Sequence, residues 1–297
     1  MDYKDHFQFP LFKEMYPNIK KSSYLKQTRE FLRYQAKTLV YRKQCKMLAN
    51  YLSTQPLWRS IFEQDPYRVD ALLTKYCNRR FSASQRLNYI KKNFEVMNTI
   101  LGNDLCEKLV KHGFISLAEL PDNLSLRLNI NQIDPFEGFF SINLQDNQRN
   151  ISIYDASFTF LNEKQLLVAS MQGSHHENAL DLIKQSTKSL YGIRPMYMLV
   201  NCFKLMCQHW QCELLAISHK QQAKYRFNDH SRLLFNYDVF WQSNSGRLIN
   251  HYWHLPLSIE IKSMEQIASK KRALYRKRYA MLDDVEQQVK NNLTSLA

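Results

Sequence analysis

The chain has 297 residues, of which 44% are hydrophobic and 13% aromatic, so it can fold around a substantial core. No apolar run reaches about 18 residues, which argues against a membrane-spanning helix, and the first residues lack the basic flank and apolar stretch of a secretory signal. We therefore expect a cytoplasmic protein.

The net charge of +14 is unevenly distributed. Residues 15–62 contain ten Lys and Arg and a single acidic residue, and residues 260–280 contain seven Lys and Arg against two acidic residues. Two interpretations remain open. These segments are either solvated helix faces or surfaces for an anionic partner such as lipid head groups or nucleic acid.

The first 112 residues are predicted to be helical. Ser82 and Gln85 have the spacing of a capping box at a helix start, and Gly113 is a candidate helix end. The apolar residues between them recur every three or four positions, which predicts one buried helix face: Leu87, Ile90, Phe94, Met97 and Leu101.

After Gly113 the pattern changes to strands, which we predict at 115–120, 124–130, 138–144, 151–161, 165–171 and 212–218. Helices are predicted at about 176–190, 196–210 and 219–226, and a long basic helix from about 262. Residues 235–241 and 251–257 are predicted to form a hairpin around Asn244, Ser245 and Gly246.

These elements predict an α+β fold. It has a helical N-terminal region (residues 1–112), followed by an α/β domain (residues 113–297) with a mixed, largely antiparallel sheet, flanking helices and a basic C-terminal helix. The six cysteines include no C-x-x-C pair, and His251 and His254 would face opposite sides of a strand. We expect buried free thiols and no metal site.

Several motifs in one order resemble the VirK/YbjX family of bacterial proteins, most strongly between residues 165 and 285. They are LVASMQG (167–173), TK (187–188), YGIRP (191–195), AISH (216–219), YDVFW (237–241), LPL (255–257) and the basic segment 271–279. The resemblance implies a cytoplasmic role in the homeostasis of the Gram-negative envelope and an association with virulence. It implies no catalytic residue.

The order of elements from 165 to 260 is also similar to the core of acyl-CoA-dependent N-acyltransferases, the GNAT superfamily. That resemblance implies an anion site for acyl-CoA at a helix start, where unpaired N–H groups favour negative charge. Gln172, Gly173, Lys188, Gly192 and Arg194 are the predicted ligand-binding residues. Alternatively, Gly192 ends a helix and Gly173 forms a strand-end turn, with no ligand at either.

His219 follows a predicted buried strand, a position where α/β proteins often place functional groups, and is the candidate catalytic base. Tyr237 and Trp241 would share one face of a predicted strand and could line a pocket. The alternatives are a helix-capping histidine and two core aromatic residues.

Three functions remain open from the sequence. The first is an acyltransferase that acts near the inner membrane with acyl-CoA. The second is a non-enzymatic adaptor that binds anionic lipid or an acidic protein through residues 20–46 and 270–278. The third is RNA binding by the same segments, where tyrosines alternate with cations.

Overall fold

A computed structural model describes residues 6–174, 176–225 and 235–294. It confirms the predicted α+β class, with helices on both sides of an eight-stranded, mostly antiparallel sheet. Within these residues no helix is both long enough and apolar enough to cross a membrane.

The N-terminal helices are α1 (Phe12–Met15), α2 (Tyr24–Val40), α3 (Arg42–Ser53), α4 (Pro56–Gln64), α5 (Asp70–Leu73) and α6 (Ala83–His112). The predicted capping box is present at the start of α6, where Ser82 and Gln85 exchange hydrogen bonds. The predicted apolar face of α6 is buried. Gly113 ends the helix in the left-handed conformation, and Gly102 interrupts it with φ +70°.

The strands are β1 (Phe114–Leu120), β2 (Leu124–Ile130), β3 (Phe140–Asp146), β4 (Ile151–Asn162), β5 (Gln165–Gly173), β6 (Glu213–Ile217), β7 (Arg247–Ile249) and β8 (Tyr252–Leu255). Their order in the sheet is β1-β2-β3-β4-β5-β6-β8-β7. Neighbours are antiparallel except β5 and β6, which are parallel. A parallel pair needs a crossover, and here the crossover contains α7 (Ala179–Ser189) and α8 (Pro195–His209).

Helices cover both faces of the sheet. On β4 the Phe158 ring lies 5.6 Å from the Phe203 ring of α8, whereas the Thr159 hydroxyl lies 3.0 Å from the Tyr76 hydroxyl of the N-terminal region. Successive strand residues point to opposite faces, so the N-terminal region and α8 lie on opposite sides. The buried apolar residues form one continuous cluster. The predicted domain boundary falls between α6 and β1, and the division itself stays a prediction.

The predicted strand at 235–241 is wrong, because residues Tyr237–Ser243 form helix α9. The Asn236 side chain caps this helix by accepting the N–H groups of Asp238 and Val239. An alternating strand would have placed Val239 on the same face as Tyr237, but Val239 is 61% exposed. The pattern is helical, with buried residues three and four positions apart.

The turn of the hairpin lies at Asn250 and His251 and not at the predicted residues 244–246. It joins β7 to β8, and both of its residues have positive φ, as a type I′ turn requires. The predicted helix at 219–226 is limited to one 3₁₀ turn (His219–Gln221), and Arg226 lies outside the described residues. The last helix, α10 (Arg272–Leu293), begins later than predicted. All six cysteines are free and buried, which confirms their predicted burial.

Candidate functional site

The parallel strands β5 and β6 separate at one end. Their pairing runs from Gln165 and Glu213 to Val168 and Ala216. Beyond that point β6 ends at Ile217, while β5 continues to Gly173 and stays paired only with β4. The end of β5 therefore has backbone groups that β6 does not satisfy, which is an unusual feature inside a buried sheet.

Helix α9 bridges the two separated strands. The Tyr237 hydroxyl accepts the N–H of Met171 (2.7 Å) and donates to the carbonyl of Met171 (2.9 Å) on β5. One turn later, the Trp241 indole N–H donates to the carbonyl of Ile217 on β6 (2.8 Å). Both aromatic residues are buried with ring centroids 5.9 Å apart, so they share a face of a helix rather than of the predicted strand.

His219 follows β6 at this opening, as the sequence predicted. Its backbone N–H donates to Asp238 Oδ1 (2.9 Å), which also accepts the indole N–H of Trp253 (2.8 Å). Its half-buried ring lies 5.7 Å from the ring of Tyr225 and 6.4 Å from that of Tyr237. The backbone of His219 is therefore held by α9, and its ring packs among aromatic rings.

A buried carboxylate, Glu137, lies near Tyr237 and was not identified from the sequence. Its Oε2 accepts the Ser170 hydroxyl of β5 (3.0 Å), and its Oε1 lies 3.3 Å from Lys224 Nζ. The Ser157 hydroxyl of β4 donates to the carbonyl of Glu137 (2.7 Å). Burial raises the pKa of the Glu137 carboxyl, and the Lys224 charge opposes that shift. The negative charge of Glu137 adds to the effect of burial in raising the pKa of Tyr237.

Lys224 connects two carboxylates. Its Nζ lies 3.1 Å from Asp134 Oδ2 as well as 3.3 Å from Glu137 Oε1. Burial acts to lower the pKa of the Lys224 ammonium, but attraction to Glu137 and Asp134 outweighs it, and the net shift is upward. A buried carboxylate normally requires such a partner.

Gly138 brings Glu137 against the sheet. Its φ is +123°, and a Cβ there would lie 2.5 Å from the carbonyl oxygen of Phe158 on β4. No other residue could follow Glu137 at this distance. The sequence signal for this site is the stretch DPFEG (134–138), of which only Gly138 falls within the predicted strand at 138–144.

The N-terminal region forms one wall of this site. The Cys77 N–H donates to the carbonyl of Phe136 (2.6 Å), beside Glu137. The Asn78 amide donates to Gln221 Oε1 (2.8 Å) and to the Tyr252 hydroxyl (3.1 Å). The segment after His219 thus depends on contacts with a part of the chain about 140 residues earlier in sequence.

The other predicted residues lie in separate places. Gln172 and Gly173 end β5 and line a cavity of about 380 Å³. Lys188 lines a different cavity of about 480 Å³, and Gly192 and Arg194 line a third of about 650 Å³. Gly173 and Gly192 flank α7, whose 11 residues span about 16 Å. The structure therefore does not place the two glycines around one cavity.

Gly192 belongs to the turn that ends α7. Leu190 is the C-cap, Tyr191 takes the left-handed position that follows it with φ +49°, and Gly192, with φ +87°, donates its N–H to the carbonyl of Thr187 (2.7 Å) as in a Schellman motif. A Cβ at Gly192 would lie 2.7 Å from Arg278 Nη2 of α10. Arg194 is the exposed N-cap residue of α8. Gly192 thus takes part in the turn after α7, but Tyr191 holds the left-handed position that glycine usually occupies, and a ligand role for these residues stays a prediction.

Comparison with known proteins places most of the chain in one family. The profile of the family described as "Protein of unknown function (DUF535)" matches residues 23–291. An uncharacterized protein of Haemophilus influenzae Rd is 51% identical over 96% of this chain and 98% of its own length. The membrane protein LapB of Mannheimia haemolytica is 30% identical over 74% of this chain and 96% of its own length. The uncharacterized protein YbjX of Escherichia coli K12 is 25% identical, covering 81% of this chain and 76% of YbjX. No solved structure matches.

Proposed function

We propose an acyl-transfer function for this chain, which belongs to the DUF535 family and whose relatives include YbjX and LapB. The reacting groups lie where β5 and β6 separate, with His219 as the base and acyl-CoA as the donor. The acceptor is a component of the cell envelope. The observation that supports this proposal is the strand separation itself, because His219 follows β6 at that point and its ring lies 6.4 Å from the ring of Tyr237, which is bonded to Met171 of β5.

The chemistry requires a base and a fixed donor. An amine or hydroxyl of the acceptor attacks the thioester carbonyl carbon, a new C–N or C–O bond forms, and the C–S bond breaks. The His219 imidazole takes the proton of the attacking group and returns a proton to the departing CoA thiolate. In this proposal the donor enters through the cavity of about 380 Å³ that Gln172 and Gly173 line at the end of β5. Glu137 and Lys224 act as positioning residues that hold Ser170 and the segment after His219.

Binding of the donor is the first test. Isothermal titration of the purified protein with acetyl-, octanoyl- and palmitoyl-CoA should show saturable binding of at least one donor below about 1 mM, the upper range of ordinary substrate affinities. If none of the three binds to the folded protein at that concentration, the acyl-transfer proposal is wrong.

Turnover is the second test. Release of the CoA thiol, followed with a panel of primary amines and alcohols, should fall about a hundredfold or more in His219→Gln, since general bases typically contribute that much. Donor binding should be retained in this variant. His112→Gln, an exposed histidine at the end of α6, is the matched control. Equal thiol release by the two variants would exclude His219 as the base.

A second candidate function, docking on an anionic membrane surface, is supported by the exposed face of α2. Leu25, Leu32 and Leu39 are 82%, 60% and 72% exposed. They are seven residues apart and therefore lie on one side of the helix. Arg29 and Arg33 flank them and are also exposed. An apolar stripe bordered by cations is typical of helices that lie in a membrane interface, and the LapB relative is described as a membrane protein.

Vesicle flotation tests this second function. Binding to phosphatidylglycerol vesicles should exceed binding to phosphatidylcholine vesicles and weaken with salt, because surface electrostatic attraction is screened. Leu32→Glu should abolish binding, whereas Leu180→Glu, which changes a 75% exposed leucine of α7, should not. Equal loss in both variants, or binding to polyuridylate without binding to vesicles, would contradict membrane docking.

A further inference from the structure

A groove of about 650 Å³ lies between the start of α8, the first half of α10 and residues 256–262. Four cations line it, Arg194, Lys204, Lys262 and Arg278, against a single carboxylate, Glu260. We propose that this groove binds a phosphate monoester on a small polar body. The site is separate from the opening between β5 and β6, and the inference does not depend on acyl transfer.

The positive charge of the groove is balanced only in part by Glu260. Among the described residues, the ion pairs within 4.0 Å include none of the four groove cations. Four cations and one carboxylate give the groove an excess of positive charge. A doubly charged phosphate that enters the groove would balance this excess better than a singly charged carboxylate would.

Helix α8 presents a polar stripe to the groove. Arg194, Tyr197, Asn201 and Lys204 are three or four residues apart, so they lie on one side of the helix, and all four line the groove. Arg194 precedes the first turn of this 15-residue helix, where the helix dipole adds a partial positive charge. The anion-binding groups thus come from the side chains, and the helix dipole adds to their positive charge.

Lys204 is the buried member of the stripe. It is 6% exposed, and its Nζ donates to the carbonyl of Ser258 (3.0 Å). Burial lowers the pKa of its ammonium, and the charge of Glu260 opposes that shift. A buried lysine whose partner is one neutral carbonyl has two further N–H donors for a ligand.

Arg278 is held in place before any ligand arrives. Its Nε and Nη2 donate to the carbonyl of Tyr191 (2.9 and 2.6 Å), and its guanidinium lies 4.1 Å from the centre of the Tyr275 ring. These bonds leave the Nη1 N–H groups for an anion, since the guanidinium has five donors. The absence of a side chain at Gly192 is what admits this guanidinium.

The size and the remaining lining indicate the kind of ligand. A volume of about 650 Å³ is that of a site for one small molecule, which argues against a nucleic acid strand. The neutral lining includes Asn201, Ser243 and Asn244, whose amides and hydroxyl can pair with hydroxyl groups. A phosphorylated polyol or sugar, free or as a lipid head group, has this combination of one doubly charged group and several hydroxyls.

The test uses two soluble probes that lack a thioester, so it is independent of the acyl-transfer tests. Glycerol 3-phosphate and dioctanoyl phosphatidic acid, the latter below its micellar concentration, are titrated calorimetrically at constant ionic strength, with glycerol as the blank. We expect saturable binding of glycerol 3-phosphate, which has a phosphate monoester and two free hydroxyls. Binding of phosphatidic acid as well would extend the site to a lipid head group. Binding of glycerol 3-phosphate alone would assign the groove to a soluble ester.

The first pair of substitutions, Arg194→Ala with Lys262→Ala in one protein, is the test variant. The second pair, Lys108→Ala with Lys290→Ala, is the control variant. All four side chains are exposed and both pairs remove two positive charges. The first pair should weaken binding at least tenfold, and the second should leave it unchanged. If neither probe saturates in the wild-type protein, or if the two pairs weaken binding equally, the groove is not a phosphate site.

Discussion

The Tyr237 hydroxyl forms two hydrogen bonds with one residue of β5, since it accepts the N–H of Met171 and donates to the carbonyl of Met171. In a continuous parallel sheet these groups would bond to the neighbouring strand. Tyr237 therefore takes the place of β6 after the two strands separate. This substitution keeps buried backbone groups satisfied while the sheet opens toward His219.

Removal of this hydroxyl should destabilise the fold. Tyr237→Phe leaves the buried N–H and carbonyl of Met171 without a partner, which costs about 1–3 kcal/mol of unfolding free energy. Urea denaturation followed by circular dichroism measures the loss. Tyr24→Phe removes a hydroxyl from an 80% exposed tyrosine and should cost nothing measurable. Equal stability of the two variants would show that water satisfies Met171.

The stability of the protein should depend on the protonation of Glu137. Burial raises the pKa of this carboxyl above its ordinary value of 4.5, so the unfolded chain loses the proton at lower pH than the folded chain does. Linkage then requires that the contribution of Glu137 to the unfolding free energy falls as pH rises from about 4.5 through the folded pKa. Glu137→Gln has no such proton and should lack this fall.

The measurement is the unfolding free energy of the wild type and of Glu137→Gln as the pH is raised from just below the ordinary glutamate value of 4.5. The difference, wild type minus variant, should decrease with pH. Glu107→Gln, an exposed carboxyl of α6, is the control for a change of net charge. A difference that increases with pH would mean that the pair with Lys224 outweighs the cost of burying the carboxylate.

Substitution of two glycines with positive φ should distinguish the cost of backbone strain from the cost of lost packing. Gly113→Ala meets nothing within 4 Å at φ +79°, so it should cost about 1–2 kcal/mol from the left-handed backbone alone. Gly192→Ala should cost more, because its methyl group would displace the Arg278 guanidinium from the Tyr191 carbonyl. Thermal or urea denaturation measures both. In an Arg278→Ala background the extra cost should disappear, and its persistence would contradict this explanation.

Asp238 should be required for the placement of His219. Asp238→Ala removes the acceptor of the His219 backbone N–H and of the Trp253 indole N–H, and each lost hydrogen bond to a charged acceptor is worth about 1.5–3 kcal/mol. We expect lower stability and altered His219 imidazole signals in NMR spectra. Asp283→Ala, an exposed aspartate of α10, is the control. Unchanged imidazole signals in Asp238→Ala would show that α9 does not position His219.

The helices and strands that could be predicted are those whose pattern of residues lies within one short stretch of the sequence. The capping box at Ser82, the apolar stripe of α6 and the strands β1 to β6 follow from local spacing and composition. The strand prediction for residues 235–241 was wrong because the stretch is short. Its aromatic residues are spaced by two and by four positions, which fits a strand as well as a helix. Only the Asn236 cap and the contacts of Trp241 with β6 decide in favour of a helix.

The sequence by itself determined the fold class, the two basic segments and the position of His219 at a strand end, because each depends on residues that are neighbours in the chain. Tertiary structure alone decided that Glu137, Ser170 and Lys224 meet, that the two glycines flanking α7 serve different cavities, and that Arg278 contacts Gly192. These contacts join residues 33 to 87 positions apart. Such contacts follow from the strand order and the crossover, which local periodicity does not encode.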